Sequence, residues 1–127
     1  MLTFDKPKNQ KKPPPVAVRV FADGREVCNL LCREGRDIYM GRIETMRLRQ
    51  NKRCCLYGHV EGCPGQLNKA DATFEHQDGR GHGGGHRDDR IEIPDPKTGK
   101  MKPINGAAHA WCNSRKGSQR INYNDVP

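Results

Sequence analysis

The stretch HAWCNSRKG, residues 109–117, determines how the rest of this chain can be interpreted. It predicts a short helix that starts at about His109 and closes at Gly117, because glycine commonly follows the last turn of a helix. His109 and Cys112 have the spacing of two metal ligands at the start of such a helix. A structural metal site explains this pair but gives no reason for Asn113 beside it, so the segment indicates a second kind of chemistry.

Two strands are predicted upstream of this helix. The segment DATFEH ends at His76 and alternates between polar and apolar residues, with Ala72 and Phe74 on one face. A long loop follows, with a glycine-dense tract and then the sequence PDPKTGK, which is typical of a turn at the tip of a hairpin. The second strand is predicted to lead to Asn105.

The six cysteines favour metal ligation over disulfides. The N-terminus lacks the apolar stretch of a secretory signal, so we expect a cytoplasmic protein in a reducing compartment, where metal binding is commoner than disulfide formation. Zinc is therefore the expected metal. Cys28 and Cys32 lie four residues apart in a segment predicted to be helical, where buried thiols that act as small hydrophobic residues are commoner than ligands.

The composition is that of a small, loop-rich and basic protein. Of the 127 residues, 33% are hydrophobic and 6% aromatic, so a large core is excluded and a metal is expected to help hold the chain together. The 23 Lys and Arg outnumber the 15 Asp and Glu, which favours a polyanion such as nucleic acid as the partner. No apolar run approaches the roughly 20 residues of a membrane span, so no membrane contact is expected.

The chain is predicted to form one domain after a short arm. Residues 1–15 are rich in Lys and Pro, which favours a flexible basic arm, and residues 16–127 form the domain. Within it, residues 23–50 are predicted to form two helices separated at Gly35, and residues 51–120 hold the metal sites.

The motifs resemble those of HNH endonucleases over roughly residues 50–120. That family has an acidic residue and His at the end of one strand, a mid-motif Asn, and a helix with the pattern CysAsn-x-x-LysGly. Here the corresponding positions are Glu75-His76, Asn105 and residues 112–117. The resemblance implies an α+β fold with a ββα-metal (His-Me finger) core, N-terminal helices and a structural zinc knuckle. The zinc ligands that it implies are Cys54 or Cys55, Cys63, His109 and Cys112.

The resemblance also implies roles for the site residues. Glu75 and Asn113 would hold one Mg²⁺ or Mn²⁺, a hard cation that prefers oxygen ligands and keeps positions open for phosphate and water. His76 would be the general base that activates water, since an imidazole titrates near neutral pH, and Asn105 would hold the loop. Three features depart from the family pattern. Glu75 replaces an Asp, the spacing from Asn105 to Asn113 is one residue shorter than usual, and His109 replaces a zinc-binding Cys.

The implied activity is metal-dependent hydrolysis of phosphodiester bonds in DNA, by nicking or by double-strand cleavage. Five basic residues are candidate phosphate contacts, namely Arg80, Arg87, Arg115, Lys116 and Arg120. Asp88 and Asp89 offer neighbouring arginines a carboxylate partner instead. Two alternatives stay open: a non-catalytic zinc module that binds DNA or RNA, and a subunit of a phage or mobile-element machine. The small size resembles that of phage-encoded HNH proteins, and the chain is compatible with a monomer or a dimer.

Overall fold

The computed structural model describes residues 15–77 and 87–117 of the chain. Within these ranges the protein is a small α+β structure with two α-helices and six short strands that pair antiparallel in twos. Most of the predicted basic arm, the glycine-dense tract and the candidate phosphate contacts Arg80 and Arg120 lie outside the described residues. Neither of the two helices has the length and hydrophobicity needed to cross a membrane.

The first described element is a hairpin of β1 (Val18–Val20) and β2 (Glu26–Cys28). The prediction that a helix starts at Asp23 is therefore wrong. The Asp23 carboxylate accepts a hydrogen bond of 3.0 Å from the backbone N–H of Arg25. Gly24 has a φ of 91°, which glycine adopts without strain. This turn chemistry outweighs the helix-compatible pattern of apolar residues that follows.

A single helix, α1 (Arg33–Arg49), comes next. The prediction of two helices separated at Gly35 is wrong, because Gly35 lies in the first turn of α1 and packs against backbone. A β-carbon at this position would lie 2.0 Å from the carbonyl oxygen of Asn29 and 2.9 Å from that of Ala17. The glycine is therefore needed for the close approach of the helix to the hairpin, and it does not end the helix.

The sequence predicts that Cys28 and Cys32 lie on one helix. This prediction is wrong. Cys28 ends β2 and is buried, which confirms its expected place in the interior. Cys32 is the N-cap residue of α1, and its sulfur accepts a hydrogen bond of 3.3 Å from the backbone N–H of Gly35. The hairpin thus separates two thiols that the helical pattern placed one turn apart.

Strand β3 (Ala72–His76) lies where the alternating pattern predicts a strand, and Ala72 and Phe74 are both buried. It is followed by β4 (Glu92–Pro94) and β5 (Met101–Pro103), which form an antiparallel hairpin. The sequence PDPKTGK occupies the tip of this hairpin. Both sequence predictions are confirmed.

Strand β6 (Asn105–His109) pairs antiparallel with β3, and Asn105 lies opposite His76. The prediction that the second strand leads to Asn105 is wrong, because the strand begins at that residue. The residues before it belong to the separate hairpin of β4 and β5, so the pairing partner of β3 comes later in the chain than expected.

Helix α2 (Ala110–Lys116) follows β6 directly, with His109 as its N-cap residue. It ends at Gly117, whose φ of 63° confirms the predicted closing residue. The helix packs against both β3 and β6. Two antiparallel strands followed by a helix therefore form one compact unit in the C-terminal half of the described chain.

The hydrophobic core lies where α1, the pair of β3 and β6, and residues 51–67 meet. Its buried side chains include Ile43, Met46, Leu56, Leu67 and Phe74. Gln50 joins the end of α1 to β6, because its side chain donates to the carbonyl of Ala107 at 2.9 Å and accepts from its N–H at 2.8 Å. The core is small, as the composition predicts, and polar contacts of this kind supplement it.

Candidate functional site

Three cysteines and one histidine form a compact cluster beside the start of α2. The sulfurs of Cys54, Cys63 and Cys112 and a ring nitrogen of His109 all lie within 4.8 Å of one another. The Nδ1 atom of His109 is 3.7 Å from the Cys63 sulfur and 3.6 Å from the Cys112 sulfur. Ligands at about 2.3 Å for sulfur and about 2.0 Å for nitrogen around a tetrahedral zinc ion are themselves roughly 3.6 Å apart. The cluster could therefore hold a metal ion such as zinc.

A backbone contact orients the histidine of this cluster. Its Nε2 atom lies 2.7 Å from the carbonyl oxygen of Gln66, which can only accept a hydrogen bond, so this nitrogen bears the proton. Nδ1 of His109 then keeps its lone pair near the sulfurs, as a metal-binding imidazole requires. The Cys54 sulfur in turn accepts a hydrogen bond of 3.5 Å from the backbone N–H of His109.

The structure distinguishes two adjacent cysteines that the sequence leaves as alternatives. Cys54 belongs to the cluster, whereas Cys55 lies against β6, where its backbone N–H donates to the carbonyl oxygen of Ala107 at 3.0 Å. A β-carbon at Gly106 would lie 2.7 Å from the Cys55 sulfur, so this thiol packs closely on the strand. Burial raises the pKa of Cys55 well above its usual value, and the thiol stays neutral. Among the two, Cys54 is the candidate ligand.

The surroundings of Cys54 and Cys112 favour the neutral form of both thiols. Burial raises the pKa of the Cys112 thiol, and the neighbouring Cys63 and Cys54 thiols raise it further. Burial likewise raises the pKa of Cys54. A divalent cation reverses this balance because it stabilises the thiolate form. Metal binding at the cluster should therefore release protons and weaken in acid.

Glu75 and Lys116 form a buried ion pair between β3 and α2. Glu75 is 1% exposed and Lys116 is 6% exposed. The Lys116 ammonium donates to the Glu75 carboxylate and to the carbonyl oxygens of His76, at 2.8 Å, and Gln77, at 3.3 Å. Lys116, which the sequence suggests as a phosphate contact, is therefore buried and paired inside the protein. It follows Asn113 by one helical turn, on the face of α2 that packs against β3.

Asn113 also contacts β3 from this face of α2. Its side-chain Nδ2 donates a hydrogen bond of 3.0 Å to the carbonyl oxygen of Phe74. His76 leaves the strand on the side opposite Glu75, as successive strand residues do, and its ring stacks on Phe74 with the centroids 4.6 Å apart. The structure thus brings Glu75 and Asn113 to the α2 side of β3 and places the imidazole of His76 on the other side, at the strand end.

The imidazole of His76 is held by Asp89, which the sequence suggests only as a partner for a neighbouring arginine. Asp89 is fully buried, and its Oδ1 atom lies 2.8 Å from Nε2 of His76. Its Oδ2 atom accepts hydrogen bonds from the N–H of Cys28, at 2.8 Å, and from Nε of Arg87, at 3.0 Å. The sequence contains no signal for this contact, because it depends on the β1–β2 hairpin, where a helix was predicted.

Asn105 lies opposite His76 and ties together the chain segments around it. Its Nδ2 atom donates to the carbonyl oxygens of Asp88, at 2.7 Å, and Arg90, at 2.6 Å. Its Oδ1 atom accepts a hydrogen bond of 3.2 Å from the backbone N–H of Gln77. These contacts hold the ends of the loop between β3 and β4, which is the kind of role that the resemblance implies for Asn105.

Arg87 and Arg115 are the other described candidates for phosphate contacts. Arg87 is partly buried and forms an ion pair of 2.9 Å with Asp89, which confirms that acidic neighbours pair with these arginines. Arg115 is exposed on α2, where its guanidinium lies 4.9 Å from the ring centroid of Trp111 and donates to the carbonyl oxygen of Glu61 at 3.1 Å. In the described ranges, Arg115 is thus the candidate contact that solvent and a ligand reach most easily.

Comparisons with protein-family models, with curated proteins and with solved structures find no match for this chain. The case for a function therefore depends on the geometry of the site and on the motifs in the sequence.

Proposed function

We propose that this protein is a zinc-stabilised endonuclease that hydrolyses phosphodiester bonds in DNA with the help of a divalent cation. The main support is the arrangement of β3, β6 and α2, in which Asn113 of α2 contacts β3, the strand that ends in Glu75 and His76. These are the three positions to which the resemblance to HNH endonucleases assigns the two cation ligands and the base. In this proposal the three elements form the ββα-metal core.

The Cys/His cluster has a structural role in the proposal. His109 caps α2 and Cys112 lies in its first turn, so a zinc ion bound there anchors the start of the helix to the loop of residues 51–67. Asn113 follows Cys112 directly. Zinc would therefore keep the Asn113 side chain against β3, which connects the structural metal to the candidate catalytic group.

His76 acts as the general base in the proposed reaction. Its imidazole takes a proton from water while the water oxygen forms a bond to phosphorus and the bond between phosphorus and the 3′ oxygen breaks. The leaving oxygen takes a proton from solvent, so the products have 5′-phosphate and 3′-hydroxyl ends. Bound Mg²⁺ or Mn²⁺ supplies positive charge that stabilises the negative charge developing on the phosphate.

Glu75 and Asn113 offer the hard oxygen donors that such a cation prefers. The side-chain amide of Asn113 is oriented because its Nδ2 donates a hydrogen bond to the carbonyl oxygen of Phe74. The Oδ1 atom of Asn113 is then the atom that can bind a cation. In the proposal Glu75 would hold the cation in place of its contact with the Lys116 ammonium.

A nucleic acid is the class of substrate that the charge of the protein favours. The formal net charge is +8, and the exposed guanidinium of Arg115 lies on α2 two residues after Asn113. A guanidinium can contact phosphate oxygens through two hydrogen bonds. The basic surface would therefore hold the DNA backbone beside the candidate site.

A non-catalytic zinc module that binds nucleic acid is favoured by one specific observation. Glu75 is 1% exposed and already paired with Lys116. In a binding module this pair would be a permanent structural contact between β3 and α2, and no second cation would enter. The two functions make opposite predictions for cleavage and the same prediction for DNA binding.

A plasmid-nicking assay on zinc-loaded protein separates them. The wild type should convert supercoiled DNA to open circles with Mg²⁺ or Mn²⁺ and should not do so without added cation. His76→Ala should lower the rate by roughly 10²- to 10⁴-fold, the usual contribution of a general base, while zinc content and DNA binding stay unchanged. His59→Ala, which removes an imidazole outside the candidate group, should keep the activity. DNA binding without any nicks in the wild type would contradict the proposal and support the binding module.

A further inference from the structure

Asp89 is the buried carboxylate that holds His76 in place. It is fully buried, and its two oxygens face different partners. Oδ1 lies 2.8 Å from Nε2 of His76, while Oδ2 accepts hydrogen bonds from Cys28 and Arg87. A fully buried acidic side chain is rare unless its partners compensate for the lost hydration. Here the three partners of the Asp89 carboxylate provide that compensation.

The backbone of Asp89 is fixed as firmly as its side chain. Its N–H donates to the carbonyl oxygen of Glu26, on β2, at 2.6 Å, and its own carbonyl accepts from the guanidinium of Arg42, on α1, at 2.7 Å. Hydrogen bonds to β2 and α1 therefore fix the backbone that carries the carboxylate. His76 reaches it from the end of β3, so the contact joins the N-terminal hairpin and α1 to the candidate catalytic group.

The charge state of Asp89 determines which nitrogen of His76 bears the proton. Burial raises the pKa of Asp89, but hydrogen bonds from His76 and Cys28 and the charge of Arg87 bring it below its ordinary value. The group is then ionised at neutral pH and can only accept hydrogen bonds. Nε2 of His76 must therefore donate, and in the neutral imidazole the lone pair is on Nδ1.

We propose that Asp89 is the positioning residue of the proposed hydrolysis, which fixes His76 with Nε2 protonated and Nδ1 as the nitrogen that accepts the proton from water. The inference rests on the proposed function for its catalytic consequence. Asp89 itself does not touch the substrate. It acts by holding the ring and its tautomer, as the carboxylate of a hydrolase triad does for its histidine.

The substitution Asp89→Asn is a sharp test because of the two donors at Oδ2. Cys28 N–H and the Arg87 guanidinium can only donate, so the amide oxygen of Asn should face them. The amide NH₂ then faces His76 and donates to Nε2, which must bear the lone pair, while Nδ1 becomes protonated. The substitution keeps the shape of the side chain and reverses the tautomer that catalysis needs.

The matched control is Asp88→Asn. Asp88 is the preceding residue and pairs with Arg90 at 2.7 Å, not with His76, so the same loss of charge occurs one position away. On zinc-loaded proteins, kcat of plasmid nicking should fall roughly 10²- to 10⁴-fold in Asp89→Asn with KM within about twofold of wild type, and Asp88→Asn should retain the wild-type kcat. Circular dichroism and zinc content show whether each variant is folded.

Long-range ¹H–¹⁵N NMR spectra of the imidazoles provide a second readout that does not depend on activity. Wild type and Asp88→Asn should show His76 as the Nε2–H tautomer, and Asp89→Asn should show the Nδ1–H form. An Nδ1–H tautomer in the wild type overturns the inference, and so does an active wild type whose kcat survives in folded Asp89→Asn. An inactive wild type with the Nε2–H tautomer overturns the proposed function instead, and the catalytic role of Asp89 with it.

Discussion

The assignment of Cys54 rather than Cys55 to the metal cluster leads to a test with two neighbouring substitutions. Cys54→Ser removes one of four candidate ligands whose donor atoms lie within 4.8 Å of one another. Cys55→Ser makes the same chemical change one residue along the chain, at a thiol that packs on Gly106. Because both thiols are buried, a comparison of the two variants separates the effect of losing a metal ligand from the effect of changing a buried side chain.

The expected difference is large. Structural zinc sites contribute about 10 to 16 kcal/mol of apparent binding free energy near pH 7, whereas a domain of this size has a free energy of unfolding of roughly 5 to 15 kcal/mol. With a core as small as this one, losing the zinc should remove most of the net stability. Cys55→Ser should cost only about 1 to 3 kcal/mol, which is the usual effect of burying a hydroxyl without a good partner.

Metal analysis and thermal unfolding of the purified variants measure both effects. Wild type and Cys55→Ser should each contain one zinc per chain and unfold cooperatively, whereas Cys54→Ser should contain little zinc and show no cooperative transition. The reasoning is refuted if Cys54→Ser retains a full zinc equivalent and a wild-type melting temperature, or if Cys55→Ser loses the metal.

Substitutions also test three features outside the cluster: the close approach at Gly35, the ion pair of Lys116 and the exposed Arg115. Gly35→Ala should lower the free energy of unfolding in urea, because its β-carbon would lie 2.0 Å from a carbonyl oxygen, whereas Gly41→Ala meets nothing within 4 Å and should stabilise the protein by about 0.5 to 1 kcal/mol. Equal effects at the two glycines would contradict the close approach. Lys116→Met should cost about 3 to 5 kcal/mol because Glu75 is left buried without its positive partner, and adding Glu75→Gln should restore much of the loss. A neutral effect of Lys116→Met would show that the pair is not formed. Arg115→Ala should weaken DNA binding and reduce the salt dependence of the affinity by about one counterion in anisotropy titrations, and an unchanged salt slope would exclude Arg115 as a phosphate contact.

The features that could be predicted from the sequence are those set by local spacing. The alternation before His76 predicts β3, the turn residues in PDPKTGK predict the tip of the β4–β5 hairpin, and Gly117 predicts the end of α2. His109 and Cys112 could be predicted as candidate metal ligands for the same reason, because two ligands at the start of one helix need only a short spacing.

The features that were missed depend on contacts between distant segments. Gly35 resembles a helix breaker until the backbone of Asn29 is beside it, and Lys116 resembles a surface residue until α2 is packed on β3. The contact of Asp89 with His76 requires the β1–β2 hairpin, whose tight turn outweighs a helix-compatible pattern. Propensity and periodicity describe neighbours along the chain, so they do not predict contacts between distant segments.

Hydrolysis of a defined DNA duplex in ¹⁸O-labelled water tests the central claim most directly. The zinc-loaded protein with Mg²⁺ should produce strands with 3′-hydroxyl and 5′-phosphate ends, and mass spectrometry should find one ¹⁸O atom in each new 5′-phosphate, because the attacking oxygen comes from water. Duplex that remains intact while bound to the protein, or ends with 3′-phosphate, would contradict the account.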